Sequence, residues 1–154
     1  MSRLEERCWG VLPAAGIGAR MGGEVPKQYL PLAGASVLEH SLNALLSCRR
    51  LAAVVVALNP LDRRADSLPV FSDPRVQRVS GGEQRSDSVG RALAALQGQA
   101  APQDWVLVHD AARPCLRASD VEQLIARVVD HGIGGILAEP IVDTVKLAGE
   151  DGLV

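Results

Sequence analysis

The sequence predicts an α/β fold in which a mostly parallel sheet lies between two layers of helices, as a three-layer sandwich. Short apolar runs alternate along the chain with segments of helical periodicity, and this alternation is typical of strands joined by right-handed crossovers. Apolar residues form 47% of the chain but aromatic residues only 3%. The core must therefore be built from Ala, Val, Leu and Ile, which suit a parallel sheet covered by helices. A length of 154 residues suits one such domain.

The strands are predicted from short apolar runs that end at turn-forming residues. Four of these runs span residues 8–12, 52–58, 76–79 and 105–108. A fifth strand is predicted at 135–138 and a sixth at 144–147. No helical pattern follows the sixth strand, so we expect the last layer to be incomplete.

The segments between the strands predict helices. Ser36 and Glu39 form a capping-box pattern, which predicts a helix that begins near Val37. Ser119 and Glu122 form a second pattern of this kind, followed by apolar residues at helical spacing. Helical periodicity also predicts a helix at 86–96 and a short one at 61–68.

Charge and composition argue against several classes of protein. The net charge of −2 lacks the basic excess that a nucleic-acid-binding surface requires. The three cysteines have no metal-binding spacing, which favours free thiols in a reducing compartment. The longest apolar run, residues 51–58, is far too short to cross a membrane. We therefore expect a cytoplasmic protein with neither a nucleic-acid partner nor a membrane partner.

Ligands of open α/β sheets bind beyond the carboxyl ends of the strands, and four unusual loops begin there, after Leu12, Ser80, Val108 and Ala138. The first of them, residues 13–28, is rich in small residues that allow backbone N–H groups to approach phosphate oxygens. Arg20 and Lys27 add positive charge to it. Its glycines alone would equally suit an ordinary flexible turn.

Two common nucleotide-binding motifs fit this loop poorly. The P-loop needs Gly-Lys-Ser/Thr leading directly into a helix, which the loop lacks. The dinucleotide fingerprint needs a helix that opens at the glycines and an acidic residue roughly 20 residues further on. Pro26 and Pro31 interrupt the region instead. A long phosphate-wrapping loop with Arg and Lys fits better.

The run PAAGIGARMGGEVPKQYLPLAG at residues 13–34 resembles the signature loop of the sugar-nucleotide and polyol-phosphate nucleotidyltransferases. Its Pro-Lys-Gln-Tyr segment is similar to that of the 2-C-methyl-D-erythritol 4-phosphate cytidylyltransferases of the non-mevalonate isoprenoid pathway. Three later segments agree in order. They resemble the family's base-recognition loop (81–88), its metal and substrate loop (108–114) and the start of its dimerisation arm (140–146).

The resemblance implies a Rossmann-like fold of the nucleotide-diphospho-sugar transferase type and transfer of CMP from CTP to 2-C-methyl-D-erythritol 4-phosphate, with release of pyrophosphate. It implies a CTP-binding domain at 1–142, an incomplete β-arm at 143–154, and a homodimer in the full-length protein. Mg²⁺ is expected mainly on the CTP triphosphate. The implied catalytic residues are Arg20 and Lys27; CTP contacts are Pro13, Ala14, Ala15, Gly16, Gly18, Gly81, Gly82, Glu83, Arg85 and Ser88; acceptor contacts are Asp110, Arg113 and Thr144.

The residues of the second loop also suit a base on physical grounds. Gly81 and Gly82 allow the main chain to lie against a flat ring, and the Ser88 hydroxyl can offer a hydrogen bond that one base alone satisfies. Ser86 or Asp87 would equally serve as a helix cap. Arg85 is interpreted as a structural or phosphate-facing charge.

In the third loop, Asp110 directly follows a buried strand, where a carboxylate is well placed to help hold Mg²⁺. Arg113 can grip the acceptor's phosphate with its planar guanidinium. The alternatives are a strand-end turn residue for Asp110 and a surface salt bridge for Arg113. His109 is expected to bond locally.

Three other functions stay open at this stage. A ribitol-5-phosphate cytidylyltransferase would hold CTP in the same way and differ in the acceptor pocket. An NAD-dependent oxidoreductase or a non-catalytic nucleotide-binding module would use the glycine-rich turn differently. Because family members continue beyond residue 154, we expect CTP binding to be partly retained and acceptor turnover to be weak or absent.

Overall fold

A four-stranded parallel sheet forms the centre of the protein. The computed structural model describes residues 7–16, 25–151 and 153. In chain order the strands are β1 (Cys8–Ala14), β2 (Pro31–Leu32), β3 (Ala35–Ser36), β4 (Leu51–Leu58), β5 (Val76–Ser80) and β6 (Trp105–Val108). The main sheet has the order β5-β4-β1-β6, and all its neighbouring strands are parallel. β2 and β3 pair antiparallel as a small hairpin.

The sheet is covered on both faces by helices α1 (Val37–Leu46), α2 (Arg85–Ala95) and α3 (Ala118–His131). Leu12 and Val56 pack with buried side chains of α1 and α3 in one cluster. Val11 and Val55 point to the opposite face and pack with Ala92 of α2. The core thus has two apolar layers around the sheet, and the predicted three-layer α/β sandwich is confirmed.

The two predicted capping boxes had different outcomes. At α1, Glu39 N–H donates to the Ser36 hydroxyl and Ser36 N–H donates to the Glu39 carboxylate, so the first prediction is confirmed. α3 begins one residue before Ser119 with no side-chain cap, so the second prediction is wrong. Glu122 instead accepts hydrogen bonds from the Cys48 thiol and from Arg49 N–H, and thereby ties α3 to the end of α1.

Two other sequence predictions are corrected in the described part of the chain. The helix expected at 61–68 is only a 3₁₀ turn, Arg64–Ser67, and a second turn, Pro69–Ser72, follows it. The first turn ends at Leu68, which is extended because a residue before proline disfavours the helical conformation. The strands expected at 135–138 and 144–147 are not formed, and residues 130–151 are all exposed. With nothing packed over this segment, burial does not offset the entropy of ordering a strand.

The strand order places a crevice at one end of the sheet. From β1 the chain moves outward to β4 and β5, and then returns to β6 on the other side of β1. The loops that leave β1 and β6 therefore diverge at their carboxyl ends, which is the usual ligand position of such sheets. No helix among the described residues is long and apolar enough to cross a membrane.

Candidate active site

A cleft of about 520 Å³ opens at the carboxyl ends of β1 and β6. Three of the four loops singled out in the sequence line it. The lining residues are Pro13, Ala14, Ala15, Gly16, Lys27, Gln28, Gly82, Glu83, Gln84, Arg85, Ser88, Asp110, Ala111, Ala112 and Arg113. Most of the residues predicted to bind nucleotide or acceptor are thus brought together, although they come from segments far apart in the chain.

Four predicted site residues are not among these lining residues. Gly81 directly precedes the lining residue Gly82 but is not itself one of them. Gly18 and Arg20 lie outside the described residues. Thr144 is exposed in the irregular segment after α3 and does not line the cleft.

The first loop is held by a residue that sequence reasoning missed. The Gln28 side chain is 5% exposed, and its Nε2 donates to the carbonyl oxygens of Ala14 at 3.0 Å and Gly16 at 2.8 Å. Lys27, the preceding residue, is exposed and lines the cleft. The only sign of this role in the sequence was a polar residue directly after Lys27. Its two hydrogen bonds could not be predicted, because they join residues that are 14 and 12 positions apart in the chain.

Close packing against the first loop and against the start of α2 explains why the second loop begins with two glycines. A Cβ at Gly81 would collide with the Cβ of Ala15, and a Cβ at Gly82 would collide with Asp87. Gly81 N–H also donates to Leu58 O at 2.7 Å, at the end of β4. The two loops therefore form one wall of the cleft.

The hydroxyl of Ser88 is already engaged within the second loop. It accepts from Gly82 N–H at 3.1 Å and lies 3.3 Å from Gln84 O as a donor, and the residue is 1% exposed. Its clearest role in this structure is to hold the loop against α2. Asp87 accepts from Gln84 N–H, so of the two predicted capping residues it is Asp87 that serves the helix N-terminus.

A second loop-holding residue was also missed. Arg91, on α2, donates through Nη1 to the carbonyl oxygen of Gly81 at 2.8 Å. The bond fixes the orientation of the peptide between Gly81 and Gly82.

Asp110 lies between two guanidinium groups at the mouth of the cleft. Its Oδ1 is 2.8 Å from Arg85 Nε, and its Oδ2 is 3.0 Å from Arg113 Nε. Both arginine side chains are more than half exposed, at 60% and 76%. The ion pair predicted as the alternative for Arg113 is thus present in the cleft. Within the described residues, the terminal guanidinium nitrogens of both arginines have no hydrogen-bond partner, and such groups are suited to bind an anion.

His109 holds the third loop. Its Nε2 lies 2.9 Å from Arg113 O, as the local bonding predicted for it requires. Burial lowers the pKa of the imidazole, despite opposing contributions from that bond and from Asp110. The ring is therefore neutral at neutral pH.

The oxygen donors of the cleft fit a magnesium ion that takes most of its ligands from a bound triphosphate. Among the described residues, no group of three or more His, Cys, Asp or Glu side chains could hold a metal ion. Asp110 offers a single carboxylate, and Mg²⁺ is commonly bound by one or two carboxylates together with substrate phosphates.

Comparison with known proteins gives one family. A sequence model of 2-C-methyl-D-erythritol 4-phosphate cytidylyltransferase (IspD) matches residues 9–154. A curated relative of that name from Pseudomonas putida (strain GB-1) is 51% identical over 147 residues, which are 95% of this chain and 63% of the relative. The chain therefore spans less than two thirds of the length of this relative.

Solved structures agree with the sequence comparison. A crystal structure of 4-diphosphocytidyl-2C-methyl-D-erythritol synthase superposes with a TM-score of 0.82 at 35% identity, and covers 97% of this chain and 67% of that one. The Francisella tularensis 2-C-methyl-D-erythritol 4-phosphate cytidylyltransferase superposes with a TM-score of 0.78 at 31% identity, over 97% and 64% of the two chains.

Proposed function

The chain belongs to the 2-C-methyl-D-erythritol 4-phosphate cytidylyltransferase family, and from this premise we propose that its cleft binds CTP for transfer of CMP to 2-C-methyl-D-erythritol 4-phosphate, in isoprenoid precursor biosynthesis. One observation carries the proposal. Three loops from separate parts of the chain meet where β1 and β6 diverge, and they present small residues together with Lys27, Arg85 and Arg113.

The shape of the cleft suits a nucleoside triphosphate. Its volume of about 520 Å³ lies within the range of roughly 300–1,000 Å³ that is usual for small-molecule sites. The base would lie against the main chain at Gly81 and Gly82, which must lack side chains because Ala15 and Asp87 fill the space that a Cβ would need. The triphosphate would lie along Ala15 and Gly16, beside Lys27.

The chemistry we propose is in-line attack of an acceptor phosphate oxygen on the α-phosphorus of CTP, with pyrophosphate as the leaving group. No general base is needed, because a phosphate oxygen is ionised near neutral pH, so positioning and charge stabilisation are sufficient. Lys27, with Arg20, would meet the charge that develops on the α-phosphoryl oxygens. Arg113 would hold the acceptor's phosphate, and His109 would hold Arg113's backbone in place.

A magnesium ion would neutralise part of the charge of the triphosphate, and Asp110 is the residue that would hold this ion. Arg85, which now pairs with the same carboxylate, would then be free to face a phosphate. A salt-bridged carboxylate and its arginines are thus suited to exchange partners when the nucleotide enters.

We assign residues 1–142 to the CTP-binding domain and 143–154 to the start of the arm through which the full-length protein forms a homodimer. Thr144 would reach the acceptor only in that assembly, since in this chain it stands away from the cleft. A cytoplasmic location fits the same proposal.

Titration calorimetry tests the nucleotide assignment. The chain is expected to bind CTP with Mg²⁺ and to show weaker binding of ATP and none of NAD. The sequence after the glycines does not suit a dinucleotide-binding turn, because Pro26 and Pro31 interrupt the region where its helix would run. Binding of NAD in preference to CTP would overturn the assignment. Pyrophosphate release by the full-length protein with 2-C-methyl-D-erythritol 4-phosphate, compared with ribitol 5-phosphate, identifies the acceptor.

A further inference from the structure

We propose that Gln28 is a positioning residue: its side-chain amide holds residues 14–16 of the first loop in the arrangement that accepts a triphosphate. The inference rests on the proposed function, and it adds to that function a residue that touches neither reacting atom.

The side chain of Gln28 bridges the two ends of a short turn. Its Nε2 lies 3.0 Å from Ala14 O and 2.8 Å from Gly16 O. An amide nitrogen has two protons, so both are used on these two carbonyl groups. Because the side chain is 5% exposed, water cannot readily replace it, and loss of the amide would leave buried carbonyl groups without a partner.

Gln28 can fix the loop because its own backbone is fixed. It lies in a 3₁₀ turn, Lys27–Tyr29, in which Tyr29 N–H donates to Pro26 O at 2.8 Å. The turn continues into Leu30, whose carbonyl accepts from Val37 N–H at the start of α1. Tyr29 packs against the main apolar cluster, and burial raises the pKa of its phenol, so the ring stays neutral there.

The bonds to Gln28 determine which way the loop peptides face. In a planar trans peptide the C=O and the next N–H point in opposite directions. With the Ala14 oxygen held by Gln28, the N–H of Ala15 is held pointing in the opposite direction within the same peptide plane. A peptide flip would exchange the two groups and could turn a carbonyl oxygen towards an anionic ligand, and Gln28 opposes that flip.

The same bonds place Lys27 relative to the loop. Lys27 directly precedes Gln28 and lines the cleft beside Ala15 and Gly16. With Gln28 anchored to Ala14 and Gly16, the backbone of Lys27 stays at a constant distance from the loop. The buried amide of Gln28 therefore fixes the position of both the loop backbone and Lys27, the two components of the proposed phosphate site.

Two substitutions and one control test this role by calorimetric titration of CTP and Mg²⁺ into the folded chain. Gln28→Ala removes both bonds and is expected to raise the Kd for CTP roughly tenfold. Gln28→Glu keeps the shape but puts an acceptor-only carboxylate against two carbonyl oxygens, so its Kd is expected to rise further at neutral pH. Gln103→Glu, in an exposed turn away from the cleft, is expected to bind like the wild type.

The pH dependence separates positioning from simple loss of packing. Protonation of the new carboxyl in Gln28→Glu restores one donor, so its Kd, relative to that of the wild type at the same pH, should fall as the pH is lowered. The corresponding ratio for Gln28→Ala should stay constant. Equal Kd values for folded wild type and Gln28→Ala, or a pH-independent ratio for Gln28→Glu, would overturn the inference.

Amide hydrogen exchange of residues 14–16 without nucleotide keeps this inference separate from the proposed function. Faster exchange in Gln28→Ala than in the wild type supports the positioning role, whether or not the wild-type chain binds CTP. Failure of the wild-type chain to bind CTP would count against the proposed function alone. Unchanged exchange would show that Gln28 does not hold the loop.

Discussion

At the scale of single residues, the charge of the cleft is set by partners that lie within it. Asp110 pairs with Arg85 and Arg113, while Lys27 has no ion-pair partner in the described part of the chain. Solvent-exposed pairs of this kind contribute little to stability, typically about 0–1 kcal/mol. The pairs matter instead for ligand binding. While the Asp110 carboxylate is bound to the two guanidinium groups, it weakens their attraction for phosphate, and a cation that replaced the guanidinium groups at the carboxylate would restore that attraction.

The Asp110→Asn substitution tests this balance. Without the carboxylate, both arginines are free for phosphate, so CTP is expected to bind more tightly in the presence of a chelator than it does to the wild type. The increase in affinity that Mg²⁺ gives the wild type should be reduced, because the residue that would hold the ion has lost its charge. Calorimetry with Mg²⁺ and with chelator measures both effects.

Asp130→Asn, at the exposed end of α3, is the matched control and should leave both affinities unchanged. An Asp110→Asn protein with the full Mg²⁺ effect would remove Asp110 from the metal site. The stability of both variants should match that of the wild type.

At the scale of elements, the sheet could be predicted from the sequence because its central strands are buried on both faces. β4 was predicted to within one residue, since a continuous apolar run such as 52–58 has few other places in a folded chain. The strands expected at 135–138 and 144–147 failed because edge strands depend on partners that a local pattern does not show. The loops could be predicted only in part. Their location at the carboxyl ends of the strands follows from the predicted parallel sheet, but the hydrogen bonds of Gln28 and Arg91 depend on three-dimensional contacts that the sequence does not show.

Contact between the first two loops gives a test with an internal control. Gly81→Ala places a methyl group against Ala15 and the carbonyl of Leu58, so the loop must shift. We expect a loss of about 1–3 kcal/mol in the free energy of unfolding, together with weaker CTP binding. Urea denaturation and calorimetry measure the two effects.

Gly90→Ala is the control, because Gly90 lies within α2 with nothing within 4 Å of an added Cβ. It should gain about 0.5–1 kcal/mol, since alanine favours a helix more than glycine does. If the two substitutions had equal effects, the second loop would not be packed against the first as described.

Asp104 connects the start of β1 with the turn before β6, and it predicts a pH dependence. Desolvation raises its pKa, but hydrogen bonds from Trp9 Nε1, Ala101 N–H and Arg7 N–H outweigh that contribution and lower the pKa below the ordinary value. A carboxyl with a lowered pKa in the folded state stabilises the protein above its unfolded-state pKa, and that stability is lost as the pH falls through the folded-state value. Asp104→Asn should therefore be less stable than the wild type at neutral pH.

The difference between these two proteins should shrink in strong acid, where the wild-type carboxyl is also protonated. Urea denaturation followed by tryptophan fluorescence at several pH values measures it. A difference that stayed constant down to strongly acidic pH would mean that the hydrogen bonds do not depend on the ionised carboxylate.

At the scale of the whole molecule, a well-packed core up to α3 is followed by a segment that packs on almost nothing. Val121 and Ile125 of α3 are buried against the sheet, whereas the large apolar residues Ile133, Ile136, Ile141, Val142, Val145 and Leu147 are exposed. No described residue of this segment lines the cleft, whose last lining residue along the chain is Arg113. The packed core and the proposed nucleotide site therefore belong to one part of the chain, and this exposed apolar surface belongs to another.

A chain that ends at Gly132 tests this division. Because the removed residues contribute little burial, the thermal midpoint should shift by less than about 4 °C, and CTP should bind with unchanged affinity. Sedimentation velocity should show less self-association than in the longer chain, since large exposed apolar patches promote association.

A chain that ends at Leu116 lacks α3 and should lose cooperative unfolding, which confirms that the assay detects loss of core. If removal of residues 133–154 alone abolished cooperative unfolding, that segment would have to pack against β6 and α3 in solution, and the fold would extend beyond the four strands described.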